Sequence, residues 1–243
     1  MSLNRRDFLG MAAGAAAALV PGLNLIELAQ ARSPEEAASS LQRWGLLIDV
    51  DQCVDGCTAC VDACFTENGV WGHGRPETDA QWIRKLRITD ERNGRTQAFP
   101  VMCQHCEFPP CVDVFPTGAS FRRADGIVLV NKHTCIGCRY CMMACPYKAR
   151  SFIHEETHNQ KPYAPRGVGT VESCTLCAHK VDRGDGTTAC AEACLREGHR
   201  AILFGDLNDP DSAISKRLAA RPSKQIRADL SLNTGVHYQG LMG

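Results

Sequence analysis

The sequence lacks an excess of charge of either sign. Its 27 Lys and Arg residues match its 27 Asp and Glu residues, so the formal net charge at pH 7 is zero. There is thus no basic patch to indicate nucleic acid as a partner, and no acidic tail to indicate disorder. The 243 residues are enough for one or two domains with a sizeable core.

The residue patterns that usually indicate catalysis are also missing. The chain offers no Ser-His-Asp set, no Gly-rich phosphate loop and no catalytic pair of carboxylates. After the first 31 residues, no run approaches the roughly 18 apolar residues that a membrane span needs. We therefore expect a soluble or peripheral protein without a substrate site of its own.

Residues 1–31 predict a twin-arginine signal peptide. Arg5 and Arg6 precede an apolar run that is rich in Ala and Gly and is broken by Pro21. Residues 29–31, Ala-Gln-Ala, form a small-x-small cleavage site. The alternatives are an uncleaved anchor and an ordinary amphipathic N-terminus. Because this route exports folded proteins, it suits a cofactor inserted in the cytoplasm, and it predicts a periplasmic location, peripheral on the cytoplasmic membrane.

Fifteen cysteines fall into four groups along the chain, and the second group is one cysteine short. Phe115 occupies the position where the fourth cysteine of that group is expected, and Pro116 follows it. The groups are Cys53, Cys57, Cys60 and Cys64; Cys103, Cys106 and Cys111; Cys135, Cys138, Cys141 and Cys145; and Cys174, Cys177, Cys190 and Cys194.

The third group carries the most specific motif. Residues 135–146, CIGCRYCMMACP, match the C-x2-C-x2-C-x3-C-P run of bacterial ferredoxins. Three closely spaced cysteines wrap one cluster, and Gly137 allows the backbone to approach it. The fourth cysteine of such a run, here Cys145, ligates the other cluster of a pair.

Two other cysteine chemistries compete with iron–sulfur clusters. Structural zinc sites usually show isolated C-x2-C pairs rather than triplets closed by a fourth cysteine. An exported location permits disulfides, but cysteines two residues apart make poor mutual bridges and an odd total leaves one unpaired. The spacing therefore favours iron–sulfur clusters, and a brown colour would exclude both alternatives.

The segments between the cysteine groups predict short strands and short helices, and so an α+β fold. Strands are expected at 44–53, 149–156 and 199–207. Hairpins are expected at 82–102, with the turn at Asn93-Gly94, and at 118–131. Residues 32–209 form the predicted iron–sulfur domain. Residues 210–243 form a cysteine-free tail with a short helix at 211–220, expected to pack on the core or on a partner.

Several residues near the motifs invite a functional role, but a structural one is more common. We expect His105 and His179 to bond a sulfur or the backbone. Met142 and Met143 are expected to pack in the core, as are Trp44, Trp71 and Trp82. Arg139, Lys148 and Lys180 are candidates to offset negative charge on the clusters.

The four motifs resemble those of periplasmic four-cluster ferredoxin-type subunits of membrane-associated respiratory oxidoreductases. The matching stretches are DGCTACVDAC, CQHCEFPPC with FPTGA, CIGCRYCMMACPY and CTLCAHKVDRGDGTTACAEAC, within residues 44–205. With the export signal and the C-terminal tail, the resemblance narrows to the O subunit of the Dsr membrane complex, which is linked to dissimilatory sulfite reductase. It implies duplicated two-cluster bacterial ferredoxin-like domains.

The resemblance also implies how the cysteines pair across groups. The first and fourth groups share ligands, as do the second and third. The implied sets are set A (Cys53, Cys57, Cys60 and Cys194), set B (Cys174, Cys177, Cys190 and Cys64), set C (Cys103, Cys106, Cys111 and Cys145) and set D (Cys135, Cys138 and Cys141).

Phe115 makes set D incomplete, because related subunits have Cys-Pro-Thr-Gly-Ala where this chain has FPTGA. A phenyl ring cannot bind iron. Sets A, B and C are therefore expected to hold 4Fe-4S clusters. Set D is expected to hold a 3Fe-4S cluster, a 4Fe-4S cluster completed by a non-cysteine ligand, or no cluster.

The resemblance implies an electron-relay subunit rather than an enzyme. Its partners would be a polytopic membrane quinone-interacting subunit, a periplasmic multihaem cytochrome c and other subunits of a sulfur-metabolism respiratory complex. The alternative is the electron-transfer subunit of a molybdopterin reductase acting on polysulfide or thiosulfate. A free ferredoxin-like carrier or a structural metal-binding module is a third interpretation.

Overall fold

A buried apolar strand forms the centre of a three-stranded sheet. In the computed structural model of the protein, which describes residues 37–242, β1 spans Trp44–Asp49. Its side chains from Leu46 to Ile48 are at most 2% exposed. β8 (Ile202–Asp206) pairs with it in antiparallel fashion and β9 (Val236–Gln239) in parallel. A strand with neighbours on both edges and cover on both faces favours a continuous apolar run.

A long hairpin follows, as the sequence predicts. β2 (Ile83–Thr89) and β3 (Thr96–Met102) pair antiparallel along their whole length. The connection runs from residue 90 to residue 95, and Gly94 takes a left-handed conformation with φ +70°. The carboxylate of Asp90 accepts hydrogen bonds from residues in this turn. The predicted turn is therefore confirmed, in a longer form than a two-residue loop.

Two short strand pairs complete the β structure of the described residues. β4 (Ser120–Arg122) pairs with β5 (Val128–Val130), which confirms the second predicted hairpin. β6 (Ser151–Phe152) pairs with β7 (Val171–Glu172). The strand expected over 149–156 is thus only two residues long, because the chain leaves the ladder after Ile153 bonds Thr170 and Gly169.

Short helices carry many of the cysteines. The helix Ala59–Asn68 is followed by Gly69, whose φ of +63° suits a left-handed C-cap, and the helix Ala189–Arg196 begins where the Thr188 hydroxyl accepts the Ala191 N–H. The helices are α1 (Ala59–Asn68), α2 (Pro110–Asp113), α3 (Tyr140–Ala144), α4 (Ala178–Arg183), α5 (Ala189–Arg196) and α6 (Ala213–Ala220), with 3₁₀ turns at Val50–Gln52 and Ala228–Leu230.

The helices pack in two pairs that join distant cysteine groups. α1 of the first group packs against α5 of the fourth, and α2 of the second group packs against α3 of the third. The predicted helix at 211–220 is confirmed as α6, which packs on β8. The segment after residue 210 also supplies β9 to the sheet beside β1.

The packing predictions for the large apolar side chains hold only in part. Trp82 is 1% exposed and Trp44 stacks on Phe204. The sequence predicts core positions for Trp71 and Met143 as well, and this prediction is wrong, because they are 55% and 74% exposed. Trp71 lies in a loop beyond the end of α1, and Met143 lies on the outer side of α3.

The predicted signal peptide, residues 1–31, lies outside the described residues. Between residues 37 and 242, no helix combines the length and apolar character required to cross a bilayer.

Candidate metal centres

All fifteen cysteines are free thiols, and most are buried. Cys53, Cys57, Cys135 and Cys138 are partly exposed. Within residues 37–242, no three Cys, His, Asp or Glu side chains lie close enough together to hold a single metal ion. Eight of the thiols instead line two cavities, four thiols to each cavity.

The thiols of set A line one cavity. The first three come from the loop after β1 and the start of α1, and Cys194 comes from α5. Burial raises the pKa of Cys60 to about 12, and neighbouring thiols, including Cys194, add to the shift. The Ala201 N–H donates a 3.2 Å hydrogen bond to the Cys194 sulfur. The Lys85 ammonium donates to the carbonyls of Val54 and Cys57, which fixes the loop.

The thiols of set B line a second cavity, deeper in the core. Cys64 from α1 meets three cysteines of the fourth group there. Burial raises the pKa of Cys177 to about 11 and that of Cys190 to about 12. The Leu176 N–H donates a 3.4 Å hydrogen bond to the Cys174 sulfur.

The thiols of set C are brought together by the α2–α3 region. Burial raises the pKa of Cys106 to about 12, and the neighbouring thiols of Cys111 and Cys145 add smaller shifts in the same direction. The Ala149 N–H donates to the Cys145 sulfur at 3.5 Å. Arg150 Nη2 donates to the Cys111 sulfur at 3.1 Å.

Set D lies beside set C. Burial raises the pKa of the Cys141 thiol, and Cys111 and Cys135 add to the shift, while the charge of Arg150 opposes it. The Cys135 sulfur accepts a 3.4 Å hydrogen bond from the Val171 N–H. Cys138 is half-buried. Set D therefore presents three thiols.

Phe115 lies in a loop that contacts the start of the third cysteine group. Its side chain is 8% exposed and belongs to the same buried core as Cys141. Two residues further on, the Thr117 hydroxyl donates a 2.9 Å hydrogen bond to the carbonyl of Thr134, which precedes Cys135. The loop at position 115 is thus anchored next to set D.

Left-handed backbone recurs in all four motif loops. The residues concerned are Gly56, His105, Gly137, Arg139, Leu176 and Cys177. Such conformations cost about 1–3 kcal/mol for a non-glycine residue and cluster at functional sites. At Gly137, a Cβ atom would collide with the Gly169 carbonyl. Glycine is therefore required at this position because two loops approach each other closely.

The donor arrangement fits a cysteine-ligated iron–sulfur cluster. Each of the four sets has at least one sulfur that accepts a backbone N–H, among them Cys194, Cys174, Cys145 and Cys135. A protein sets the reduction potential of such a cluster through its burial and through hydrogen bonds to its sulfur atoms. Buried thiols with raised pKa values lose their protons when a metal binds, so binding and proton release are coupled.

The two histidines near the motifs differ in their partners. His105 Nδ1 accepts a 3.0 Å hydrogen bond from the Val128 N–H, which confirms the expected backbone role. His179 Nε2 lies 2.7 Å from a carboxylate oxygen of Glu67, so the expectation of a sulfur or backbone partner was wrong. α4 carries His179 to the end of α1, where Glu67 is within reach.

Two of the cations proposed from the sequence to offset cluster charge contact carboxylates or an aromatic ring. The Lys180 ammonium pairs with Glu192 and Asp185. The Arg139 guanidinium lies 3.8 Å from the centre of the Phe152 ring. Sequence reasoning missed Arg150, a buried cation that directly contacts a motif thiol. It stands five residues after the motif's last cysteine, and no spacing rule distinguishes it from its neighbours.

Comparisons with known proteins agree with this site. Residues 95–206 match the family described as 4Fe-4S dicluster domain. The chain is 39% identical to the Hdr-like menaquinol oxidoreductase iron-sulfur subunit 1 of Archaeoglobus fulgidus, over 99% of both chains. It is 35% identical to a subunit of the tetrathionate reductase of Salmonella typhimurium, over 99% of this chain and 90% of the other. Protein NrfC of Escherichia coli is 40% identical over 79% of this chain and 77% of its own.

Proposed function

The chain belongs to the family of ferredoxin-type iron–sulfur subunits of oxidoreductase complexes, and we propose that it relays electrons between a membrane quinone-interacting subunit and a periplasmic multihaem cytochrome through several iron–sulfur clusters. It is an electron-transfer subunit, and catalysis belongs to other subunits of such complexes. When bound, the clusters exchange single electrons. The polypeptide holds them, buries them and sets their potentials.

The proposed ligands are sets A to D as the resemblance implies them. Two cavities support the first two sets, since each is lined by the four cysteines of one set. The pairing of α1 with α5 and of α2 with α3 supports the sharing of ligands between groups. Sets A and B form one two-cluster unit and sets C and D form the other, which together make a duplicated two-cluster ferredoxin within residues 32–209.

Set D is proposed to hold a 3Fe-4S cluster. It offers three thiols, and the loop at position 115 presents a buried phenyl ring where a fourth ligand is expected. Phe115 cannot supply a lone pair to iron. A cluster with one thiolate fewer carries less negative charge, and a raised potential follows from that change.

The proposed partners are a polytopic quinone-site subunit and a periplasmic multihaem cytochrome c, in a complex of the Dsr type. The observation that carries this proposal is the similarity over 99% of both chains to a subunit named for menaquinol oxidation. In this proposal residues 1–31 direct the folded chain to the periplasm. There it lies peripherally on the cytoplasmic membrane, with residues 210–243 as a tail that packs on the core or on a partner.

A second candidate is the electron-transfer subunit of a molybdopterin reductase for a sulfur compound. Similarity over 99% of this chain to a subunit named for tetrathionate reductase favours it. The cluster-binding residues would be the same in both cases. The two candidates differ in the partner that receives or supplies the electrons.

Low-temperature EPR on the oxidised protein, with iron counted on the same sample, tests the cluster proposal. We expect the signal of an oxidised three-iron cluster and about fifteen iron atoms per chain, three cubanes and one three-iron site. About sixteen iron atoms without that signal would mean that another ligand completes set D. About twelve would mean that set D is empty, and no iron would overturn the relay.

Purification of the native complex from detergent-solubilised membranes tests the partner. A polytopic subunit and a c-type cytochrome that purify with the chain support the first candidate. A large molybdenum subunit without a cytochrome would replace it with the second. The chain purifying alone, near its 26.5 kDa mass, would contradict both.

A further inference from the structure

Arg150 is a buried cation at the junction of set C and set D. Its side chain lies in the core at 5% exposure, directly before β6. Nη2 donates to the Cys111 sulfur at 3.1 Å and to the Ser120 hydroxyl at 2.8 Å. The guanidinium therefore has a fixed position against a thiol of set C.

Two donors of the guanidinium form no hydrogen bond of good geometry with the described part of the chain, although the Cys141 thiol of set D lies close enough to be influenced by Arg150. Nε and Nη1 are buried and find no hydrogen-bond acceptor among the described residues. An arginine presents five N–H donors, and a buried donor without an acceptor is costly. In the described part of the chain, Arg150 also forms no ion pair with an Asp or Glu side chain. The missing acceptors and the missing negative charge both point to a ligand.

The surrounding groups identify that ligand as an anion held by the thiols. The thiols with the largest electrostatic effect on Arg150 are Cys111 and Cys103 of set C and Cys141 of set D. Lys132, whose ammonium donates to the Val171 carbonyl, is a second cation near Arg150. The carboxylate that acts on Lys132, Glu172, is already paired with Arg166. An iron–sulfur cluster with its thiolates carries net negative charge and exposes sulfur acceptors.

We propose that Arg150 is a positioning residue shared by the clusters of set C and set D, to which Nε and Nη1 donate hydrogen bonds, and that it raises the reduction potentials of both. The inference rests on the proposed function. Reduction adds one electron to a cluster, and a fixed cation beside it stabilises the reduced form. The electron comes from one redox partner of the relay and passes on through the clusters to the other partner, and no bond in the protein forms or breaks.

The test is a redox titration followed by low-temperature EPR on purified, iron-loaded Arg150→Gln. We expect the equilibrium constant for reduction to fall at least tenfold at set C and set D, which corresponds to about 59 mV for a one-electron couple. The clusters of set A and set B should keep their potentials, because Arg150 does not contact them. Arg150→Lys keeps the charge without the planar fork, so an intermediate shift is expected.

Arg92→Gln is the matched control. It removes the same charge from a side chain that is 83% exposed in the β2–β3 turn, where solvent screens it. All four potentials should remain those of the wild-type protein.

Unchanged potentials in iron-loaded Arg150→Gln would overturn the inference and leave the proposed function intact. Should that variant fail to retain iron, Ser120→Ala carries the test. It loosens the guanidinium, and a smaller shift in the same direction is required at set C and set D. No shift there would equally overturn the inference. Absence of cluster signals from the wild-type protein would instead overturn the proposed function.

Discussion

Arg166 and Glu172 form a buried, two-point ion pair. Nε of Arg166 donates to one carboxylate oxygen of Glu172 at 2.9 Å, and Nη2 donates to the other at 2.7 Å. Arg166 Nη1 also donates to the Gly69 carbonyl, directly after α1. Glu172 follows Val171, whose N–H bonds the sulfur of Cys135. One ion pair thus connects the end of the first cysteine group with the backbone that supports set D.

We expect Glu172→Gln to destabilise the protein strongly. Breaking a buried pair leaves an uncompensated charge on Arg166, which costs about 3–5 kcal/mol. For a chain of this size that predicts a thermal midpoint lower by at least about 6 °C. Glu155→Gln is the control, since Glu155 pairs with Arg75 at the surface and such pairs contribute about 0–1 kcal/mol. Equal midpoints for the two variants, measured by circular dichroism, would refute the prediction.

Phe115→Cys should complete set D. With a fourth thiolate we expect the three-iron EPR signal to disappear and the iron content to rise by about one atom per chain. Phe115→Leu, which fills similar space without a ligand, should keep the wild-type signal and iron content. A three-iron signal that persists in Phe115→Cys would show that position 115 does not face set D.

Gly137→Ala should disrupt set D selectively. The residue has φ +69°, and its new methyl group would meet the Gly169 carbonyl and come within 3.1 Å of the Phe152 ring. Backbone atoms cannot yield as a flexible side chain does, so Cys135 and Cys138 would shift. Gly118→Ala is a matched control with φ +67° and open space around its Cβ, and costs only the left-handed conformation, about 1–2 kcal/mol. Iron counting and EPR should show loss at set D in the first variant alone.

His237 should make the fold more sensitive to mild acid. Burial, and then the charge of Arg43, lower the pKa of His237 from its usual 6.5. The unfolded chain therefore takes up this proton more readily than the folded one. Stability is complete above pH 6.5 and falls as the pH drops from there toward the folded-state pKa.

His237→Gln removes that dependence, so its loss of stability between pH 8 and pH 6 should be smaller than that of the wild type. The expected difference is at most about 1 kcal/mol. Urea unfolding at both pH values measures it, and the comparison cancels any constant effect of the substitution. An identical loss in both proteins would contradict the prediction.

The sequence predicts the local structure best where hydrophobicity and turn residues agree. The apolar run from Leu46 to Ile48 and the Asn93-Gly94 turn each specify one structure, and both predictions are correct. Residues 149–156 look equally strand-like, yet only β6 forms. Its one partner, β7, is two residues long. Strand length here depends on a partner that is distant in sequence.

The cysteine motifs indicate which thiols are candidate ligands, but they do not predict the contacts around those thiols. Ligand spacing is a local property, whereas contacts such as that of Arg150 with Cys111 depend on how separate loops meet. The same limit explains Met143 and Trp71, which look like core residues by type but lie outside. The carboxylate partner of His179 likewise comes from a helix more than a hundred residues earlier.

The position of β1 in the sheet has a consequence for synthesis of the chain. Both of its neighbours, β8 and β9, follow β1 by more than 150 residues in the chain. At about 5–20 residues per second, β1 spends roughly 8–30 s without either partner. During that interval both edges of an apolar strand are unpaired, which is the condition under which nascent chains associate wrongly. Residues 44–49 of a newly made chain thus stay open to wrong pairing until β8 and β9 have been made.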